Sequence, residues 1–440
     1  MTESAQPTTV GNYFVSNYPP FSFWVPEKVP AVAHVLARPA PRDVPLGLYV
    51  HIPFCRKRCD FCYFKVYTDK NSSQVRRYLE ALLSELDIYV RAEWLNGRKP
   101  SFVYFGGGTP SYLSTGQLTE LFEGLRSRLP WDDAREIAFE CEPGTLQEGK
   151  AQLLKTLGVT RLSLGVENFD AEVLELNNRA HRAAEIDRAY GFIRDAGVSQ
   201  VNIDLIAGMV GETDENWSRC IDRTLELAPE SVTLYQMEVP YNTTMYQRMQ
   251  DGSTSVAPVA DWDSKRRWVR EGFGRLEQAG YVVGSAYTAS RGEGSRGEHT
   301  SFLYRDALWQ GADMLGLGVS SFGHLGGVHY QNESSFDTYI SRCEAGEAPV
   351  HRAYETNAEE RLIREFILQL KLGHLEPAYF SDKFGVDVLE RFAKPLQEHQ
   401  DAGYLVLDGD GIRTTREGLL RIDGLLPSFF LEQHRTTRYV

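Results

Sequence analysis

The chain has 440 residues, 42% hydrophobic and 24% charged, with a net charge of −13. Its length exceeds the roughly 250–300 residues at which a single core stops growing, so a main domain with a smaller companion is expected. The acidic balance argues against a nonspecific nucleic-acid binder or a protein drawn to anionic membranes, and no apolar run approaches the roughly 18 residues of a membrane span.

Residues 1–45 begin without a basic region followed by an apolar one, so no signal peptide is read. Prolines such as Pro19, Pro20 and Pro26 disfavour regular structure there, while Tyr13, Phe14, Phe21 and Trp24 predict an arm packed on the main domain. From Leu46 onward β-rich runs alternate with helical ones. The strands are expected at Leu46–Phe54, Ser101–Phe105, Glu136–Cys141, Arg161–Val166, Val201–Ile206 and Ser231–Met237. Helices are expected between them at 75–92, 115–129, 149–157, 182–196 and 213–227. Alternation of this kind means βαβ units on a parallel sheet. The predicted fold is therefore α/β, a (β/α)6-type partial barrel whose active site lies at the C-terminal ends of its strands. Residues 238–350 read as less regular, with one helix near 261–279. From about Thr356 the pattern turns helical (358–371, 378–384, 388–400, 416–425), with a hairpin around Asp408-Gly-Asp-Gly411. This predicts a winged-helix-like C-terminal domain, giving boundaries of 1–45, 46–350 and 351–440.

The first strand runs into Cys55, Cys59 and Cys62, spaced C-x3-C-x2-C. Three thiolates can hold three irons of a four-iron cluster and leave the fourth open, as a catalytic metal keeps a vacant position. A zinc site would want a fourth ligand, and the nearest candidate, His51, lies inside a strand-like run. The remaining cysteines, Cys141, Cys220 and Cys343, are scattered, which is no disulfide framework and fits a reducing cytoplasm.

Polar residues follow at the other strand ends. Gly106-Gly107-Gly108-Thr109 after the second strand would let backbone approach a ligand, or form a plain tight turn. Glu140 and Glu142 end the third strand on one face. Glu167 ends the fourth, Asn177-Asn178-Arg179-Ala180-His181 follows, and Asp204 ends the fifth. Unpaired burial of such groups is costly, so a ligand rich in donors or a mutual ion-pair network must satisfy them.

These motifs resemble the oxygen-independent coproporphyrinogen III oxidase family of radical S-adenosylmethionine (SAM) proteins, often called HemN-like. The likeness rests on Tyr49-x-His-Ile-Pro-Phe-Cys55, the Gly-Gly-Gly-Thr-Pro loop, Arg161-x-Ser-x-Gly-Val, Asn178-Arg179 and Asn202-x-Asp204, and it extends through Met314–Phe322 into the C-terminal domain. It implies a [4Fe-4S] cluster on Cys55, Cys59 and Cys62 and two SAM molecules in one pocket. Gly107, Gly108 and Thr109 would contact the first SAM, with Glu140, Glu167, Arg179 and Asp204 helping to hold it. Tyr49 would lie near the cluster and the second SAM, and Glu140 would share the catalytic role. Leu303, Tyr304 and Phe322 would wall the second SAM. A reducing partner such as flavodoxin or ferredoxin is implied, acting in the cytoplasm.

Three departures bear on the reaction. The porphyrinogen oxidases carry a further cysteine directly after the motif, where this chain has Tyr63 and Phe64; the usual glutamine after Gly-Val is Glu167. The His-Asn-x-x-Tyr-Trp segment of the heme-chaperone branch reads His299-Thr-Ser-Phe-Leu-Tyr-Arg here. The same scaffold includes C-methyltransferases and cyclopropane-forming enzymes that lack the extra cysteine. The leading expectation is accordingly C-methylation or cyclopropanation of an sp2 carbon. Oxidative decarboxylation of coproporphyrinogen III is the alternative, and a heme chaperone the third reading.

Overall fold

The computed structural model describes residues 8, 13–250, 259–291, 302–409 and 411–435. Six strands form as read from the sequence: β1 (Leu46–Ile52), β2 (Phe102–Gly107), β3 (Glu136–Cys141), β4 (Arg161–Glu167), β5 (Gln200–Ala207) and β6 (Ser231–Gln236). Most of their residues are buried, as in strands covered on both faces, though β4 alternates, with Ser163, Gly165 and Glu167 partly exposed. Helices intervene, and two of them, Ser72–Tyr89 and Thr115–Arg128, start on reciprocal capping boxes from Asn71 with Gln74 and Ser114 with Gln117.

Residues 238–350 are more regular than expected. They hold β7 (Tyr281–Val283), β8 (Thr288–Arg291), β9 (Asp313–Leu317), β10 (Phe322–Leu325) and β11 (Val328–Asn332); β12 (Val350–Glu355) follows. All twelve join one sheet in the order β12-β11-β10-β9-β1-β2-β3-β4-β5-β6-β8-β7. β9 pairs in parallel with β1, so the parallel set has seven strands rather than six, and antiparallel pairs flank it. Strands β12 and β7 are left as edges, so the barrel is partial. The run Met314-Leu-Gly-Leu-Gly hid β9, because glycine weakens a strand reading. Packing demands that glycine: a Cβ on Gly316 would fall 2.0 Å from the Phe322 carbonyl oxygen.

The C-terminal unit packs helices Ala358–Leu370, Pro377–Phe384 and Ala393–Asp401 on a small sheet of β13 (His374–Leu375), β14 (Leu405–Asp408) and β15 (Gly411–Thr414). The single helix expected at 388–400 breaks at Phe392 into Val388–Arg391 and Ala393–Asp401. Pro395 is the cause, since its ring clashes with the carbonyl four residues back. The helix expected at 416–425 likewise divides into Arg416–Leu419 and Ile422–Leu425. Phe366, Phe380, Leu396 and Phe429 form this unit's own core, and Val15 and Tyr18 of the N-terminal arm join it. Further along the arm, Trp24 stacks on buried His329 at 5.1 Å.

Candidate active site

At the C-terminal ends of β1–β6 lies a cavity of about 1280 Å³. The loop after β1 brings Cys55, Cys59 and Cys62 to its wall. The segment that follows β4 clamps that loop from behind: Asp60 N–H donates to the Asn177 carbonyl at 3.2 Å, and Asn178 Nδ2 to the Arg58 carbonyl at 2.9 Å. Arg179 donates to Cys59 Sγ at 3.2 Å and to the Gly165 carbonyl at 2.6 Å. Thr109 Oγ1 donates to Cys55 Sγ at 3.4 Å. Burial pushes the free thiols of Cys55 and Cys62 up to about 11 and about 12, so thiolates would exist here only with compensating positive charge.

The donor set fits a four-iron cluster. A four-iron cluster takes one thiolate per iron, so the three cysteines on this one cavity-lining loop would hold three irons and leave the fourth without a protein ligand. Arg179 would then offset part of the cluster's negative charge.

Three carboxylates share the cavity with the cysteines. Glu140 accepts from the Tyr104 hydroxyl at 2.7 Å and the Gly107 N–H at 3.1 Å. Glu167 faces Arg179 at 3.4 Å, with a backbone φ of 63°, a strained left-handed conformation for a non-glycine residue. Asp204 accepts from Ser163 Oγ at 2.7 Å and Asn202 Nδ2 at 2.9 Å. Burial raises Glu140 and Glu167 to about 7 each, and raises Asp204 as well. Carboxyl groups raised in this way ionise more readily beside positive charge, so the pocket would favour a cationic ligand. SAM, with its ammonium and sulfonium groups, meets that description.

The glycine loop has a second explanation. Gly107 has φ of +117°, and a Cβ there would fall 2.5 Å from the His51 ring; one on Gly108 would fall 2.9 Å from the Pro53 carbonyl carbon. Both glycines are therefore required by packing against the end of β1, whatever the loop binds. His51 itself accepts or donates at Nδ1 to the Tyr49 hydroxyl at 3.0 Å.

Of the residues singled out in the sequence, the three cysteines, Gly107, Gly108, Thr109, Glu140, Glu167, Arg179 and Asp204 all line the cavity. Tyr49, Tyr304 and Phe322 stand outside its lining. The Tyr304 ring packs on Tyr104 at 4.4 Å and so sits one layer behind Glu140. Phe322 is taken up by the N-terminal arm, 4.5 Å from the Phe21 ring. His299 lies outside the described residues. The cavity adds residues that sequence reasoning passed over: Tyr235 at the end of β6 and Glu238 after it, Tyr287, and Arg421 and Asp423 of the C-terminal unit. The strand-end rule that found Glu140 and Asp204 would have found Glu238. Nothing in the sequence marks Asp423.

A family model described as the Radical SAM superfamily matches residues 49–223, and one described as the HemN C-terminal domain matches residues 357–421. The chain is 30% identical over 418 residues to the oxygen-independent coproporphyrinogen III oxidase of Pseudomonas aeruginosa, covering 90% of this chain and 89% of that one. It is 27% identical to the heme chaperone HemW of Bacillus subtilis, over 84% of this chain and 96% of that one. The solved structure of coproporphyrinogen III oxidase (HemN) from Escherichia coli, reported as a radical SAM enzyme, superimposes with a TM-score of 0.80 at 26% identity, covering 94% of this chain and 96% of that one.

Proposed function

The chain belongs to the HemN-like, oxygen-independent coproporphyrinogen III oxidase family of radical SAM enzymes, and from that premise we propose that it oxidatively decarboxylates propionate side chains of a coproporphyrinogen-type tetrapyrrole. The observation that carries this reading is the lining and size of the cavity. Besides the cysteine triad it is lined by Arg266, Arg421 and Arg435, cations suited to a substrate with several carboxylates. Its volume of about 1280 Å³ exceeds the roughly 300–1,000 Å³ usual for a drug-sized ligand, which leaves space for substrate beside SAM, and for a second SAM. When bound, the cluster and SAM supply a 5′-deoxyadenosyl radical. Cys55, Cys59 and Cys62 would hold the cluster, and Glu140, Glu167 and Asp204 of the same cavity would hold SAM. Removal of one hydrogen atom and one electron from a propionate releases carbon dioxide and leaves a vinyl group, and the electron passes to an acceptor. A flavodoxin- or ferredoxin-like donor in a reducing cytoplasm completes the reading.

Methyl transfer, the leading expectation from the departures at Tyr63, Phe64 and Glu167, draws no support from the coproporphyrinogen oxidases and heme chaperone among the relatives. Anaerobic turnover with coproporphyrinogen III and SAM deuterated at its methyl group separates the readings. Decarboxylation is expected to give carbon dioxide, a vinyl product and unlabelled 5′-deoxyadenosine. Deuterium in the 5′-deoxyadenosine, with S-adenosylhomocysteine as co-product, would overturn it in favour of methyl transfer. Heme binding without carbon dioxide release would overturn it in favour of a chaperone.

A further inference from the structure

Folding buries large aromatic side chains wherever it can, so a concave surface that leaves several exposed needs an occupant. Among the described residues eight large hydrophobic side chains are exposed, and four of them, Tyr13, Tyr63, Phe64 and Tyr235, line the one cavity described above. Tyr63 and Phe64 are 38% and 45% exposed, and their rings lie 4.5 Å apart at 32°. Neither is loosely held. Asn242 Nδ2 donates to the Tyr63 carbonyl at 2.9 Å. The Phe64 backbone N–H bonds to Cys62, so the pair rides on the same turn as the cysteine ligands. Glu238 lines the same cavity, its carboxyl group near enough to act electrostatically on the Tyr63 hydroxyl. Glu238 accepts the Tyr13 N–H at 3.0 Å and a backbone N–H of Phe14, and its two oxygens retain further lone pairs.

We propose that Tyr63 and Phe64 are specificity-determining residues that seat the face of one N–H-bearing aromatic ring of the substrate, with Glu238 accepting that ring's N–H. The site rests on the decarboxylase reading and deepens it. A porphyrinogen consists of four separate pyrrole rings joined by saturated carbons, each an aromatic face with one N–H. Two rings in contact with each other on one turn offer a patch for one small ring rather than for a whole macrocycle. Offset or edge-on aromatic contact adds to area burial, and the tie to Cys62 holds the seated ring beside the radical source.

The test is equilibrium binding of coproporphyrinogen III to the anaerobically reconstituted holoenzyme, with carbon dioxide release measured in parallel. Phe64→Ala is expected to raise Kd and KM about tenfold, from the lost ring contact and burial, with iron and sulfide content at the wild-type value. Phe64→Tyr should stay within about twofold, and Phe64→Leu, which keeps apolar volume without a ring face, should lose about fivefold. Glu238→Met should weaken binding by a similar factor through loss of the acceptor. Wild-type affinity in Phe64→Ala or Phe64→Leu, with carbon dioxide still released, overturns the site and leaves the decarboxylase reading standing. Tight binding to the wild type with no carbon dioxide, lost in Phe64→Ala, supports the site and overturns the reading it rests on.

Discussion

Glu142 draws together three segments beneath the cysteine loop. Its carboxylate takes a two-pronged hydrogen bond from Arg56, at 3.1 Å to Oε2 and 2.9 Å to Oε1, and a third from the Gly144 N–H at 3.1 Å. His181 Nδ1 lies 3.5 Å away. Burial alone would raise its pKa, but the His181 and Arg56 contacts more than reverse that and hold it at about 2, against an ordinary 4.5. A folded value below the unfolded one means the folded state binds fewer protons in that window. The stabilisation is therefore complete above pH 4.5 and lost as pH falls toward 2. Glu142→Gln should lower the unfolding free energy by roughly 2–3 kcal/mol at pH 7. Denaturant titrations at stepwise lower pH should show the gap to wild type closing toward pH 2. A gap that stays constant would mean that the charge on Glu142 contributes nothing.

At the scale of elements, the join between the barrel strands and their antiparallel extension depends on β9. It pairs in parallel with β1 across five residues, and with β10 in the opposite sense. A side chain at Gly316 would meet the Phe322 carbonyl at 2.0 Å, and that obstacle is backbone, which cannot swing aside. Gly316→Ala should cost roughly 1–3 kcal/mol through overpacking, read as a lowered midpoint in thermal unfolding. Gly274, inside the helix Trp262–Gln278, has open space where a Cβ would go. Gly274→Ala is the matching control and should stabilise by about 0.5–1 kcal/mol. Equal effects of the two substitutions would show that close approach at β9 is not what the glycine serves.

For the whole molecule, one buried lysine links all three parts. Lys371 ends the first helix of the C-terminal unit with its side chain fully buried; it donates to the Val15 carbonyl of the arm at 2.6 Å and pairs with Asp423 at 2.7 Å. Asp423 also accepts the Val15 N–H at 2.8 Å and the hydroxyl of Tyr287 from the barrel extension. Arm, extension and C-terminal unit thus meet at one ion pair on the cavity wall. Removing one partner of such a pair strands the other's charge, at roughly 3–5 kcal/mol. Lys371→Met should therefore destabilise the chain by that amount and make the arm more susceptible to limited proteolysis near Tyr13–Val15. Proteolysis at the wild-type rate would show that the arm is held by its aromatic contacts alone.

By itself the sequence determined the periodic parts. Apolar strands at regular spacing dictated a parallel sheet, and polar residues at their ends pointed to Glu140, Glu167 and Asp204, because a polar group in a buried strand needs a reason to be there. The cysteine spacing marked the metal loop without any reference to fold. What local pattern does not carry, only the tertiary structure decided. β9 was hidden because its glycines weaken strand propensity while serving a backbone contact with Phe322, a residue visible only once the strands pair. Tyr304 and Phe322 left the cavity because neighbours from distant segments, Tyr104 and Phe21, take their faces. Asp423 and Tyr287 entered it because a cavity between units is closed by whichever chain segments meet there, and contacts between residues hundreds of positions apart leave no trace in spacing or periodicity.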